Sequence, residues 1–253
     1  MDEHRVGEDH PTEDAKAAAG DGSTGSDRPQ GREAAGWMAE KVALDPAELL
    51  GGRDPEFLRR LLPVIDRGLR WFDPVVEHFD RIPGEGPFMV VGNHSGGIYM
   101  PDFWAFLGRW LHERGVDDPI HPLGFDFNFS VPGLSDITRR MGTVPASQRN
   151  ADLVLAAGRP VIVYPGGDEE DYRPWTERHR VDLHGRMGFV RLALRNRVPV
   201  VPLVAHGSHD AIVVLTRGEG LAKLLRFDRL RINVMPIVAG PPWGIAPVQL
   251  PTC

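Results

Sequence analysis

Apolar and polar positions change rhythm along the chain. From Trp37 to Phe79 the apolar residues recur at helical spacing, and Asp54-Pro55-Glu56 marks a helix start, because Asp can cap free N–H groups and Pro suits the first turn. Pro63 and Pro74 should break or kink the helical run after each of them. Within this stretch, Phe57-Leu58-Arg59-Arg60-Leu61-Leu62 and Leu69-Arg70-Trp71-Phe72 mix large apolar groups with arginines. That pattern suits either a helix packed on a core or one lying on a bilayer surface. At Phe88 the pattern tightens: Phe88-Met89-Val90-Val91, bounded by Pro87 and Gly92, reads as a buried strand. Further strands are predicted over 160–164, 198–204 and 230–235. Helices are predicted over 101–113, stopping at Gly115, over 147–157, ended by Gly158, and over about 185–195. Alternating strand and helix predicts an α/β fold, a layered mixed sheet flanked by helices.

Composition narrows this to one folded domain with a tail. The 253 residues are 42% hydrophobic and 25% charged, which excludes wholesale disorder. Residues 1–36 hold nine acids against four bases and no Leu, Ile, Phe, Trp or Tyr, so they are expected to form a disordered acidic tail. The domain is then 37–253, with 26 acids and 25 bases. That near-neutrality argues against nucleic acid as a partner. With no apolar run near the roughly 18 residues of a membrane span and no signal-peptide pattern at Met1-Asp2-Glu3-His4, a cytoplasmic location is expected, with peripheral contact at the inner face of the membrane. The one cysteine, Cys253, cannot form an internal disulfide or a cysteine-based zinc site.

Two segments carry candidate chemistry. In Asn93-His94-Ser95-Gly96-Gly97-Ile98-Tyr99-Met100-Pro101-Asp102, a histidine leaves a buried strand and a carboxylate opens the next helix. Asp102 can bond one ring nitrogen of His94 and leave the other as a base, a pair that suffices when the acyl donor is already an activated thioester. The plainer alternative makes His94 a turn residue and Asp102 a helix cap. The second segment, Tyr164-Pro165-Gly166-Gly167-Asp168-Glu169-Glu170-Asp171-Tyr172-Arg173, also comes after an apolar strand. Its glycines allow a ligand close to the main chain, and Arg173 offers a forked donor to a phosphate or carboxylate. Its four consecutive acids read as a solvated turn, since their spacing matches no calcium loop.

Taken together, these segments resemble the lysophospholipid acyltransferase-like superfamily, the glycerolipid acyltransferases, over roughly residues 71–242. Asn93-His94 with Asp102 is similar to that family's His-acid block. Phe125-Asp126-Phe127-Asn128-Phe129, Pro132-Gly133-Leu134 and Arg140-Met141-Gly142-Thr143-Val144-Pro145-Ala146 resemble its second block, Val163-Tyr164-Pro165-Gly166-Gly167 its third, and Val198-Pro199-Val200-Val201-Pro202 its fourth. Two departures stand out. The common spacing would put the acid at position 99, which here is Tyr99, and Asp102 comes three residues later. Where phosphate-accepting members have Pro-Glu-Gly, this chain has Pro165-Gly166-Gly167, closer to the diacylglycerol acyltransferase-like branch with its neutral acceptors. The chain also ends soon after Pro241-Pro242-Trp243, so a shortened carboxyl end is expected.

The resemblance implies an O-acyltransferase that moves a fatty acyl group from acyl-CoA or acyl carrier protein to a lipid hydroxyl: diacylglycerol, a lysophospholipid or a long-chain alcohol. His94 would be the base and Asp102 its orienting acid. Asn93, Ser95, Gly96, Gly97, Tyr164, Pro165, Gly166, Gly167 and Arg173 would line the substrate site, with main-chain donors at 166 and 167 and Arg173 on a headgroup. No cofactor and no metal is expected. Ser95 lacks a Gly-x-Ser-x-Gly elbow and is expected to shape the turn. His206-Gly207-Ser208-His209-Asp210 has no further ligand block beside it, and the basic, leucine-rich stretch 217–231 suits either anionic lipid heads or a plain surface helix. The competing functions are a lipid esterase or thioesterase and a catalytically silent lipid-binding protein of the same fold.

Overall fold

In the computed structural model, residues 46–226 and 234–239 are described. The expected acidic tail, Cys253 and most of the strand predicted over 230–235 lie outside them. Helix α1 (Pro46–Gly51) precedes α2 (Pro55–Phe72). As the sequence predicts, Asp54 caps α2 by accepting from the Phe57 N–H at 3.0 Å. Pro63 does not break it: the helix runs through this exposed position, where the lost main-chain bond faces solvent. The chain leaves α2 at Asp73, whose left-handed φ of 44° ends the helix just before Pro74.

Strand β1 (Met89–Gly92) leads through a single turn, Gly97–Tyr99, into α3 (Pro101–Arg114). Then come β2 (His121–Gly124), α4 (Asp126–Ser130), α5 (Leu134–Arg140), β3 (Val144–Pro145) and α6 (Gln148–Ala156). After these the chain forms β4 (Val161–Val163), α7 (Gly167–Asp171), α8 (Gly188–Asn196) and β5 (Val200–Leu203). The five strands form one parallel sheet in the order β3-β2-β4-β1-β5. Among the described residues the antiparallel pairing is confined to a separate ribbon of β6 (Val213–Thr216) and β7 (Ile237–Ala239), with α9 (Glu219–Leu224) between them. In the 230–235 prediction, Val234 and Met235 carry no strand, and β7 begins two residues after it.

Parallel strands are covered on both faces, so successive residues of β1 and β4 feed opposite cores. Val90 and Ile162 join Leu58, Ile65, Phe103, Phe106 and Trp110 beneath α2 and α3. Met89 and Val161 join Leu49, Val154, Leu155 and Leu192 beneath α1, α6 and α8. The strand order also fixes where a ligand crevice can form. After β1 the chain crosses to β2 on one side, and after β4 it crosses to β5 on the other, so the sheet's switch point lies at the carboxyl ends of β1 and β4.

Leu58 is 1% exposed between α2 and the sheet. Leu58→Ala should therefore lower the unfolding free energy by about 2–5 kcal/mol in chemical denaturation. A change below about 0.5 kcal/mol would mean that α2 does not pack on this core.

Candidate active site

Because β1 and β4 pair in register, Met89 opposite Val161 and Val91 opposite Val163, the segments leaving them lie side by side. One carries His94 and the other begins with Tyr164, and their rings stack with centroids 4.5 Å apart. His94 Nδ1–H donates to Asp102 Oδ2 at 2.9 Å, and both side chains are buried. The pair expected from sequence is thus assembled despite its long spacing. Asp102 sits in the first turn of α3, where the free N–H end of the helix favours a negative charge. The intervening loop turns sharply at Gly96, whose φ of 99° needs glycine and whose missing Cβ leaves room for the Pro101 ring. Met100, at φ 41°, holds the left-handed conformation without being glycine, so the entry to α3 is strained.

Tyr99, at the family's acid position, lies instead on the wall of an apolar pocket of about 280 Å³ with Phe72 and Trp104. A larger cleft of about 760 Å³, between residues 72–82 and 200–211, reaches Asp102, while His94 is not among its lining residues.

The four-acid run, expected to be a solvated turn, is partly buried. Glu170 and Asp171 are 1% and 6% exposed, because the short α7 comes directly after β4 and turns one side back onto the strand ends. Glu170 Oε2 accepts the His94 main-chain N–H at 3.0 Å, and Asp171 Oδ1 accepts that of Gly97 at 2.9 Å. Ser95 gives its main-chain N–H to Asp102 Oδ2 at 3.2 Å, the turn-shaping role expected of it. Asn93 ties the β1 end to the β5 end by exchanging two hydrogen bonds with Ala205, at 2.9 and 2.7 Å.

Arg173 also departs from expectation. It is 4% exposed and donates to the carbonyls of His94, Glu170 and Arg178 at 2.9, 2.8 and 3.3 Å, so its guanidinium braces the loops and is not presented to a headgroup. The Gly167 N–H, expected as a free donor, is given to Tyr164 O at 3.2 Å. Arg186, missed in the sequence, holds the carbonyls of Pro165 and Gly166 and pairs with Glu169 at 2.7 Å. His209 is buried, and its Nε2–H donates to Arg173 O at 2.6 Å, which makes it a brace as well. Among the described residues no cluster of three His, Cys, Asp or Glu side chains is arranged to hold a metal ion.

Burial alone would keep the His94 imidazole neutral, yet the charges of Asp171, Asp102 and Glu170 and the Asp102 hydrogen bond outweigh it and raise the pKa to about 9. Burial pushes Asp171 up to about 7, against the pull of His94. Glu170 is also raised by burial, although the His94 N–H and Arg173 work against the shift. Nε2 is the ring nitrogen left to take a proton. The arrangement can deprotonate a hydroxyl brought to it, with no serine nucleophile of the elbow type beside it.

Fold and dyad together define a class of parallel α/β domains that carry a histidine–carboxylate pair at the sheet's switch point. Residues 112–237 match the family model for diacylglycerol acyltransferase, a span that starts after the His94–Asp102 block and runs from α3 into β7. An uncharacterized protein of Mycobacterium tuberculosis is 30% identical over 219 residues, which is 85% of this chain and 60% of that protein. Diacylglycerol O-acyltransferase 2 of Dictyostelium discoideum is 30% identical over 60% of this chain and 47% of its own length. For human 2-acylglycerol O-acyltransferase 3 the identity is 27%, over 79% and 63%. Over residues 112–237 the chain is similar to the diacylglycerol acyltransferase family, and it spans about 60% of the length of the mycobacterial relatives it matches. No solved structure matches it.

A Cβ at position 166 would collide with the Glu170 carboxylate. Gly166→Ala should therefore displace the group that holds the His94 main chain. The expected result is a lower melting temperature together with loss of any activity that needs His94. An alanine variant with wild-type melting and activity would show that Glu170 does not anchor this loop.

Proposed function

We propose that this protein is an O-acyltransferase that transfers a fatty acyl group from a coenzyme A or carrier-protein thioester to the hydroxyl of a glycerolipid or long-chain alcohol. The observation that carries the reading is the buried pair of His94 and Asp102, 2.9 Å apart, in a chain similar over residues 112–237 to the diacylglycerol acyltransferase family. The acceptor O–H gives its proton to His94 Nε2 while its oxygen attacks the thioester carbonyl. The C–S bond then breaks, and the thiolate takes the proton from Nε2 to leave as a thiol. Asp102 fixes the tautomer through Nδ1 and favours the imidazolium that forms transiently.

An uncharged acceptor is favoured because the main-chain donors of residues 94, 95 and 97 are filled by the protein's own carboxylates and Arg173 is spent on carbonyls. Burial of His94 favours transfer over hydrolysis by limiting the access of water to the base. The test is to incubate the purified protein with labelled acyl-CoA and, separately, diacylglycerol, a lysophospholipid and a long-chain alcohol, measuring ester against released acid. Ester on a neutral acceptor is expected. Release of free acid alone would make the protein a thioesterase, and preference for lysophosphatidic acid would place it in phospholipid synthesis.

His94→Ala should cut turnover by about 10² to 10⁴ without unfolding the protein, and Asp102→Asn should impair turnover more than stability. Tyr99→Phe, remote from the pair, should be mild. If Tyr99→Phe were as damaging as His94→Ala while Asp102→Asn was silent, the pairing would not be the working one. The base must be neutral, so with a pKa near 9 its active fraction falls as pH drops. Accordingly kcat/KM should rise about tenfold per pH unit below about 9; a flat profile from pH 6 to 9 would rule out His94 as the base.

Peripheral membrane contact belongs to the same reading. Helix α2 buries Leu58 and Ile65 but leaves Val64 64% and Trp71 54% exposed beside Arg67 and Arg70, a face suited to an anionic interface. No helix among the described residues is long and apolar enough to cross a membrane. Binding to anionic vesicles should be reversible, weakened by salt and reduced by Trp71→Ala. Binding that survives high salt and is released only by detergent would defeat this peripheral picture.

A further inference from the structure

We propose that Asp171 is a second carboxylate of the reaction centre, placed across the reacting nitrogen of His94 to hold the imidazolium formed when the acceptor hydroxyl loses its proton. The proposal rests on the acyl-transfer reading of the same site, and it names a residue that reading does not require.

The geometry is specific. Nδ1 of His94 is committed to Asp102 at 2.9 Å, so proton transfer must use Nε2, and Nε2 lies 4.0 Å from Asp171 Oδ2. That distance is too long for a hydrogen bond and short enough for strong charge coupling. Asp171 is not free to swing away, because its Oδ1 is fixed by the Gly97 N–H at 2.9 Å, which leaves Oδ2 toward the ring. The two side chains are 9% and 8% exposed, so solvent screens their interaction poorly.

The groups that act on His94 come from every element around it. Asp102 reaches it from α3 and Glu170 and Asp171 from α7, while Tyr164 stacks on it after β4 and Arg173 bonds its carbonyl. Asp102 and Asp171 thus flank opposite nitrogens of one ring. In the transfer step the proton on Nε2 comes from the acceptor and goes to the departing sulfur, so Asp171 neither gains nor loses a proton over the cycle. The charge of Asp171 is among the causes that raise the His94 pKa, and His94 in turn pulls Asp171 down against the burial that raises it.

Asp171 acts through His94, so the deciding readout is the imidazole itself. The His94 ring is titrated by NMR in the full chain, in the wild type and in Asp171→Asn and Asp171→Glu. The wild-type midpoint is expected near 9, and Asp171→Asn should lower it by about one unit or more while Nδ1 stays bonded to Asp102. Asp171→Glu, which restores the charge, should bring it back up. In turnover, Asp171→Asn should move the acid limb of kcat/KM to lower pH and reduce kcat more than it raises KM. An unchanged midpoint in Asp171→Asn overturns the proposal. So does a wild-type midpoint at or below about 6.5, a measurement that needs no variant to fold. Failure of the wild type to form ester from any thioester would instead defeat the acyl-transfer reading, and the titration would still decide whether Asp171 acts on His94.

Discussion

One carboxylate oxygen, Asp102 Oδ2, organises the site. It accepts both the His94 Nδ1–H and the Ser95 main-chain N–H, so the same atom sets the imidazole tautomer and fixes the backbone that carries it. Because Asp102 is held at the start of a fourteen-residue helix packed against the core through Phe103, Phe106 and Trp110, the acid cannot drift without disturbing the fold. Rigidity of this kind gives a base its catalytic value, since a wandering imidazole would lose orientation on each cycle.

Such an arrangement is costly by itself. Three buried carboxylates, Asp102, Glu170 and Asp171, crowd one imidazole, and buried charge is tolerated only when it is paired or neutralised. The structure pairs it. Main-chain N–H groups of residues 94, 95 and 97 each meet a carboxylate, and Arg173 lies within charge range of all three acids. Burial raises the pKa values of Glu170 and Asp171 against these contacts.

Much of this was legible in the chain. Strands β1, β4 and β5 stand out as continuous apolar runs, β1 and β4 because both their faces are covered, and the caps Asp54 and Ser147 mark the starts of α2 and α6. The His94–Asp102 pair is legible as a histidine at a strand end and an acid at the next helix start. The hidden parts have physical reasons. His121-Pro122-Leu123-Gly124 carries a proline, a glycine and one aliphatic side chain, yet forms β2 because His121 is buried and its Nδ1–H bonds Gly142 O at 2.9 Å. The run from Asp168 to Asp171 reads as solvated because a sequence does not say which side of a five-residue helix meets the sheet. The available signal was its position directly after a buried strand, with Gly166 leaving room for the Glu170 side chain.

The long spacing between His94 and Asp102 gains a meaning from the same contacts. Had the acid stood at position 99, the chain would have had to enter α3 directly after the histidine. The extra residues instead form the Gly97–Tyr99 turn, and that turn delivers the Gly97 N–H to Asp171. The first block is thereby stitched to the third, since Gly97 and His94 hold the two acids of α7 through their main-chain N–H groups. A phosphate would ordinarily be met by such a row of main-chain donors, but here the donors are already satisfied by carboxylates of the chain itself. The spacing and the glycine at 166 thus serve neighbouring contacts: the turn brings the Gly97 N–H to Asp171, and the missing Cβ at 166 leaves room for Glu170 to reach the His94 N–H.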